Sequence, residues 1–262
     1  WCWKAAGSPD PNQALIINED GSAMDATAAE AVRNSGSIVP DKISANRQNG
    51  FSIVKYKGGS TVNTMPHGLN AAPEMIIIKN LDNANGWVVG SKYLSSWGYA
   101  LDLSAANGQF TASASFNSTA PASDVFTLGN TTGANNNSYN YIAYLFHSVA
   151  GYSKIGSFVG NGSTDGPYVE CGFRVGWLMW KNCDDSEWWG IMDAQRSNFN
   201  PVNSSLAPNE PNSEFPYGGG GFDFLSNGFK VRGNSNGLNG TSDRIIFMAF
   251  AEQPFSAPSN AR

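Results

Sequence analysis

A block of about a hundred residues occurs twice in this chain, and no other feature constrains the fold as much. Gly50-Phe-Ser-Ile-Val-Lys-Tyr-Lys-Gly-Gly-Ser-Thr61 returns as Gly151-Tyr-Ser-Lys-Ile-Gly-Ser-Phe-Val-Gly-Asn-Gly-Ser-Thr164. Met75-Ile-Ile-Ile-Lys-Asn80 returns as Trp177-Leu-Met-Trp-Lys-Asn182, each followed by a polar turn and a tryptophan, Trp87 or Trp189. Tyr141–Phe146 resembles Ile246–Ala251 when Ala143 is set against Ala249. About a hundred residues suffice for one hydrophobic core, so the repeat points to two domain-sized units. It divides the chain into residues 50–150 and 151–262, preceded by 1–49. That first stretch reads as the end of an upstream unit plus a connector, because Trp1-Cys2-Trp3-Lys4 fits the closing slot of a repeat, with Trp1 facing Tyr144 and Phe250.

Within each copy the apolar residues come in short runs separated by Gly-Ser-Thr, Asn-Gly and Asn-Asn-Asn turn signals. Runs 75–79 and 177–181 are apolar at successive positions, the pattern of a strand covered on both faces. Sustained helical periodicity is missing, and only the Ala-rich stretch 23–33 predicts a helix. Many short strands with regular turns predict an all-β chain: two homologous β-sandwich repeats in tandem, jelly-roll or lectin-like. Separate sandwiches and two halves of a larger one both satisfy the pattern.

Charged residues are only 14% of the 262, against roughly 25% in an average soluble protein. Asn, Ser, Thr and 29 Gly supply the polarity instead. Net charge is −5, with no Lys/Arg cluster. This argues against nucleic acid or an anionic membrane surface as partner. No apolar run approaches the roughly 20 residues of a spanning helix. Cys2, Cys171 and Cys183 are odd in number and lack a C-x-x-C pair, so free buried thiols are expected, in keeping with folding in a reducing cytoplasm.

No motif for catalysis stands out. His67 and His147 are the only histidines, and both slots read as structural or surface positions. Gly218–Gly221 is not followed by Lys-Ser or a helix pattern, so it is no phosphate loop; it suits a tight bend or a close chain approach. Asp193 and Arg196 suit a local ion pair that orders the following loop. The sequons at Asn117 and Asn239 matter only in a eukaryotic secretory setting. The densest acidic run, Asp184-Asp185-Ser186-Glu187, sits in a turn beside Trp188, which aligns with Gly86 and is therefore the extra aromatic. Trp177, Trp180 and Trp189 align with Met75, Ile78 and Trp87 and read as core. Sugar sites place an aromatic face under a pyranose with carboxylates and amides on its hydroxyls. On that chemistry the candidate ligand contacts are Trp188, Asp184, Asp185 and Glu187, with Trp97, Tyr99 and Tyr217 further off. No catalytic residue, metal or cofactor is expected.

The ordered set of motifs resembles a domain abundant in proteins of marine phages, those of cyanobacteria and of small oceanic heterotrophs. It is carried by Pro66-His-Gly-Leu69, Pro73-Glu-Met-Ile-Ile-Ile-Lys-Asn80 and Ser123-Asp-Val-Phe-Thr-Leu-Gly129. Gly160-Asn-Gly-Ser-Thr-Asp-Gly166, Phe222-Asp-Phe-Leu-Ser-Asn-Gly-Phe-Lys230 and the ending 249–262 complete it. Arg174-Val-Gly176 and Trp180 depart modestly from the usual pattern. The resemblance covers the chain from about residue 46 onward. It implies a virion structural protein, tail-fibre-like, exposed on the particle and with no defined catalytic residue. The implied partners are other virion proteins, a host surface glycan or protein, and further copies of the chain, a trimer being common in fibres. The rival expectations are a capsid decoration protein and a glycan-degrading spike enzyme. The enzyme would need two carboxylates roughly 5–10 Å apart in a cleft.

Overall fold

The computed structural model describes residues 4–217 and 220–254. The chain is mostly β, arranged in several antiparallel sheets. It divides into two compact units, one taking in residues up to Asp102 and Phe110–His147, the other Leu103–Gln109 and the residues from Ser148 on.

Unit 1 begins with β1 (Gln13–Ile17), α1 (Ala26–Arg33), β2 (Lys42–Asn46) and β3 (Phe51–Lys57). It continues through β4 (Asn63–Pro66), β5 (Met75–Asn80), β6 (Val88–Ser91), β7 (Tyr99–Asp102) and β8 (Phe110–Thr111). The short helix α2 (Ser113–Phe116), β9 (Val125–Leu128) and β10 (Asn140–Phe146) close it. Eight strands form one sheet in the order β1-β2-β3-β10-β5-β6-β7-β8, and β4 pairs with β9 in a separate small sheet. Across the large sheet Val54, Ala143, Ile78 and Val88 make one row, and Phe51, Phe146, Met75 and Ser91 another. Tyr56, Ile78, Tyr141 and Leu145 from the large sheet share a core with Met65, Phe126 and Leu128 from the small one.

Residues 5–49 are more than a connector. β1 and β2 pair in parallel, the connection between them carries α1, and β2 joins β3 antiparallel. Alternation in Gln13–Ile17 buries Ala14 and Ile16, and these join Ile43, Ala45 and Ala29 in the unit 1 core. The motif is a β-α-β unit, which the many Gly, Pro and Asn residues of the stretch and the shortness of both strands concealed. The helix starts later than Ala23 because the Asp25 carboxylate accepts from the amides of Thr27 (2.9 Å) and Ala28 (3.2 Å), a stabilising N-cap. The slot assigned to Trp1–Trp3 lies outside the described residues.

Unit 2 holds β11 (Ser153–Val159), β12 (Tyr168–Glu170), β13 (Val175–Asn182), β14 (Gly190–Asp193), β15 (Ser204–Ser205) and β16 (Phe215–Pro216). It ends with β17 (Phe222–Leu225), β18 (Gly228–Val231), the short helix α3 (Asn236–Asn239) and β19 (Arg244–Ala251). Its sheets run β11-β19-β13-β14, β12-β18-β17 and β15-β16. Every residue of β13 is buried, as its unbroken apolar run predicted. Trp180, Phe247 and Ala249 pack with Phe222, Phe224 and Phe229 in one core. Gly156, Phe247, Trp180 and Gly190 form one row. A Cβ on Gly190 would lie 2.1 Å from Trp180 Cζ2, and one on Gly156 2.6 Å from Phe247 Cζ. These two glycines make room for the two large rings between them.

Each unit pins its Gly-Ser-Thr loop with a buried asparagine. Asn135 Oδ1 accepts from the Gly59 amide, and its Nδ2 donates to Thr61 O (2.8 Å). Asn239 Oδ1 accepts from the Asn161 amide (2.9 Å), and its Nδ2 donates to Ser163 O (2.7 Å) and Gly233 O (3.0 Å). Asn239 therefore spends its amide on the fold and offers no acceptor for glycosylation. Gly221 runs so close to Val202 that a Cβ would lie 1.9 Å from its carbonyl oxygen, while Gly218 and Gly219 lie outside the described residues. Cys171 and Cys183 are free and buried; Cys2 lies outside the described residues. Among the described residues no helix is long and apolar enough to cross a membrane.

Candidate functional site

The turn after β5 and the turn after β13 are built alike, from a Lys-Asn pair at the strand end. Asn80 Oδ1 accepts from the amides of Asp82 and Asn83, and Asn182 Oδ1 from those of Asp184 and Asp185. The lysine ammonium reaches over the same turn. Lys79 donates to Asn85 O; Lys181, wholly buried, donates to Asn182 O (2.7 Å), Ala106 O (3.0 Å) and Asp185 O (3.4 Å). Burial pulls the Lys181 pKa down to about 8, and the nearby Cys183, Glu187 and Asp185 oppose that shift.

Beside the unit 1 turn lies an open hollow of about 320 Å³. Trp87, Val88, Leu101 and Phe110 give it apolar walls, Gly133 opens one side, and Asn85 and Asp102 bring the polar groups. Asp102 Oδ1 accepts from the Trp87 amide (3.1 Å), and the carboxylate lies flat over Gly86, where a Cβ would be 2.0 Å from Oδ2. Trp87 is half-buried and stacks on Tyr144 with ring centroids 6.4 Å apart. Trp189, with which it aligns, is buried as expected, whereas Trp87 is left partly accessible. Phe110 is 43% exposed. An indole face with a carboxylate and an amide at its rim can seat the apolar face of a sugar and bond its hydroxyls. Phe110 and Asp102 were missed because β7 and β8 are short strands on either side of a loop, with no motif to mark them, and Trp87 was noted only as the tryptophan of the repeat.

The sequence-predicted residues divide between the units. In unit 2, Trp188 is 46% exposed and meets Phe215 edge-on (5.9 Å), Phe215 stacks on Tyr217 (6.4 Å), and Tyr217 meets Trp180 edge-on (5.7 Å). Tyr217 and Glu187 converge on Gly237, where a Cβ would lie 2.5 Å from the Tyr217 hydroxyl and 2.9 Å from Glu187 Oε2. Burial raises the Glu187 pKa, and the charge of Asp185 adds to it. Burial likewise raises that of Tyr217. Trp188, Glu187 and Tyr217 thus belong to one patch. Asp185 Oδ1 accepts from the Ser186 amide (2.7 Å), while Asn236 Nδ2 lies 3.5 Å from its Oδ2.

Asp184 is a structural residue. Its Oδ2 accepts from the Arg244 amide (2.7 Å), holding the start of β19, and its Oδ1 accepts from Gln109 Nε2 (3.1 Å). Trp97 is buried in the unit 1 core against Phe116 (5.5 Å, edge-on), so it offers no face to a ligand. Its Ser-Ser-Trp-Gly surroundings look like an exposed turn, but packing took the ring inward. Tyr99 is half-buried on β7 and does not line the hollow. Asp193 and Arg196 form the expected ion pair (2.7 Å), with Asp193 also accepting from the amides of Gln195 and Arg196. Both histidines lie in unit 1; His67 is fully buried in a hydrogen-bonded turn. Among the described residues no group of three or more His, Cys, Asp or Glu could hold a metal ion.

A family described as a domain of unknown function (DUF7483) is matched over residues 23–254. No curated protein and no solved structure matches the chain.

Proposed function

We propose, for a chain that belongs to the DUF7483 family, a role as a bacteriophage virion structural protein: a tail fibre or similar surface appendage that recognises a host-surface glycan. The observation that carries the recognition role is the unit 1 hollow, with its accessible Trp87 indole beside the Asp102 carboxylate. The virion setting rests on the resemblance of the ordered motifs to marine-phage proteins. On this reading the chain packs with other virion proteins and further copies of itself on the particle surface.

The same proposal takes the two units as homologous sandwich copies, and the pairing registers support it. In both units the first strand of the copy pairs with the closing strand, which pairs with the buried strand, which pairs with its hairpin partner: β3-β10-β5-β6 and β11-β19-β13-β14. The row Phe51, Phe146, Met75, Ser91 corresponds to Ser153, Phe250, Trp177, Asp193. This keeps Trp177 against Met75 and Trp180 against Ile78. It sets Phe146 against Phe250, so the two alanines of the closing strands fall two positions apart instead of in line. The asparagine clamps correspond in the same way, Asn135 to Asn239.

Two measurements test the role. Cryo-electron microscopy of intact particles should place the chain at the tail or its fibres; density on the capsid shell would make it a decoration protein, and absence from the particle would end the virion reading. A labelled chain should bind neutral glycans on an array, and Trp87→Ala should weaken that binding by about tenfold or more, the loss expected for a stacking anchor. Unchanged binding by the variant would move the site elsewhere.

A further inference from the structure

The hollow of unit 1 has a counterpart in unit 2, position by position. The hairpin ladders set Gly86, Trp87 and Val88 against Trp188, Trp189 and Gly190. Leu101 pairs with Val89 as Leu206 pairs with Ile191, which sets Asp102 against Ala207. Phe110 pairs with Ala100 as Phe215 pairs with Ser205. The loop that carries the asparagine clamps sets Gly133 against Gly237, since Asn80 Nδ2 donates to Thr132 O and Asn182 Nδ2 to Asn236 O.

Two positions beyond these phenylalanines stand Ala112 in unit 1 and Tyr217 in unit 2. The Tyr217 ring meets Trp180 edge-on and brings its hydroxyl to Gly237 and Glu187. In unit 1 the corresponding glycine, Gly133, faces the open hollow. The rest of the wall differs in step: unit 1 has a glycine and a carboxylate at 86 and 102, unit 2 a tryptophan and an alanine at 188 and 207.

We infer that Tyr217 occupies in unit 2 the place that a ligand ring takes in unit 1, so that one copy of the site is open and the other is filled by the protein itself. The occupant names the ligand's shape: a six-membered ring with a hydroxyl that reaches the glycine and the polar group beside it. Asp102 is the one charged residue on the lining, and a carboxylate there opposes a second negative charge, so the ring is a neutral pyranose and not a uronic or sialic acid. This inference rests on the glycan-binding reading above.

The test follows tryptophan indole signals by nuclear magnetic resonance while the full chain is titrated with methyl glycosides of glucose, galactose, mannose and N-acetylglucosamine. Methyl glucuronide is the anionic control. At least one neutral glycoside should shift the Trp87 signal, and the glucuronide should not. Ala112→Tyr should fill the hollow and weaken binding by about tenfold or more. Tyr217→Ala should open the second copy, so that the Trp189 signal also shifts and one bound ring becomes two. If Tyr217→Ala fails to fold, Ala112→Tyr decides alone. Binding that survives Ala112→Tyr unchanged, or a folded Tyr217→Ala that still binds a single ring, would overturn the self-filled copy while leaving glycan recognition intact. A Trp87 signal that no glycoside moves would overturn the inference, and with no array binding either, glycan recognition falls too.

Discussion

His67 sits fully buried in the Pro-His-Gly-Leu turn. The Leu69 amide donates to its Nδ1 (3.2 Å), which leaves Nε2 as the protonated nitrogen, 3.3 Å from the carbonyl of Ala122. Burial pushes its pKa down to about 4, whereas in an unfolded chain it titrates near 6.5. As pH falls the unfolded chain therefore takes the proton first. Stability should be intact above about pH 6.5, decline from there to about pH 4 and level off below, a loss on the order of 3 kcal/mol from this group. Urea unfolding between pH 7 and 4 checks this, and His67→Gln should flatten the profile in that window; an equal slope in the variant would assign the loss to other groups. The turn and its histidine were legible in the sequence, but the burial and the Nε2 contact were not, because Ala122 lies far along the chain. Trp97 and Asp184 misled for a related reason. Residue type announced a ring open to a ligand; tertiary contacts alone decided that it packs on Phe116, and that the Asp184 carboxylate, exposed as expected of a turn, also holds the Arg244 amide.

Strands and turns were read more faithfully than single side chains. Runs 75–79 and 177–181 are long enough to carry their own signal, and both became central, buried strands. β1 and β2 are five residues each and were lost in a stretch read as connector. The rows across the sheets explain how two units of different composition keep one pairing scheme. Unit 1 fills its row with Val54, Ala143, Ile78 and Val88, all of middling size. Unit 2 puts Phe247 and Trp180 at the centre and glycines at 156 and 190 on the flanks. Volume is exchanged between neighbours along the row, as close packing requires. Gly190→Ala should therefore destabilise by about 1–3 kcal/mol through overpacking against Trp180. In a Trp180→Ile background, where the indole is gone, the same change should cost far less. A double-mutant cycle from urea denaturation measures the coupling, and additive effects would refute the exchange.

For the molecule as a whole, sparse charge and a net −5 leave little for long-range electrostatics to do at a neutral ligand. Glycan binding at the unit 1 hollow should change by less than about twofold between 0.05 and 0.5 M salt, since screening acts on exposed charges and not on stacking. A steep fall with salt, read from array or titration data, would point to an anionic partner instead. On the proposed homology of the two units, the repeat is suggested by the sequence but its register is not: the pairing ladders set the matching alanines of the closing strands two positions out of step. The contact between Gly86 and Asp102 carries a last consequence, for how such copies diverge. A side chain can enter at 86 only if the Asp102 carboxylate swings aside or is trimmed, so the tryptophan state of unit 2 is reached from the unit 1 state at least cost when position 102 shrinks first.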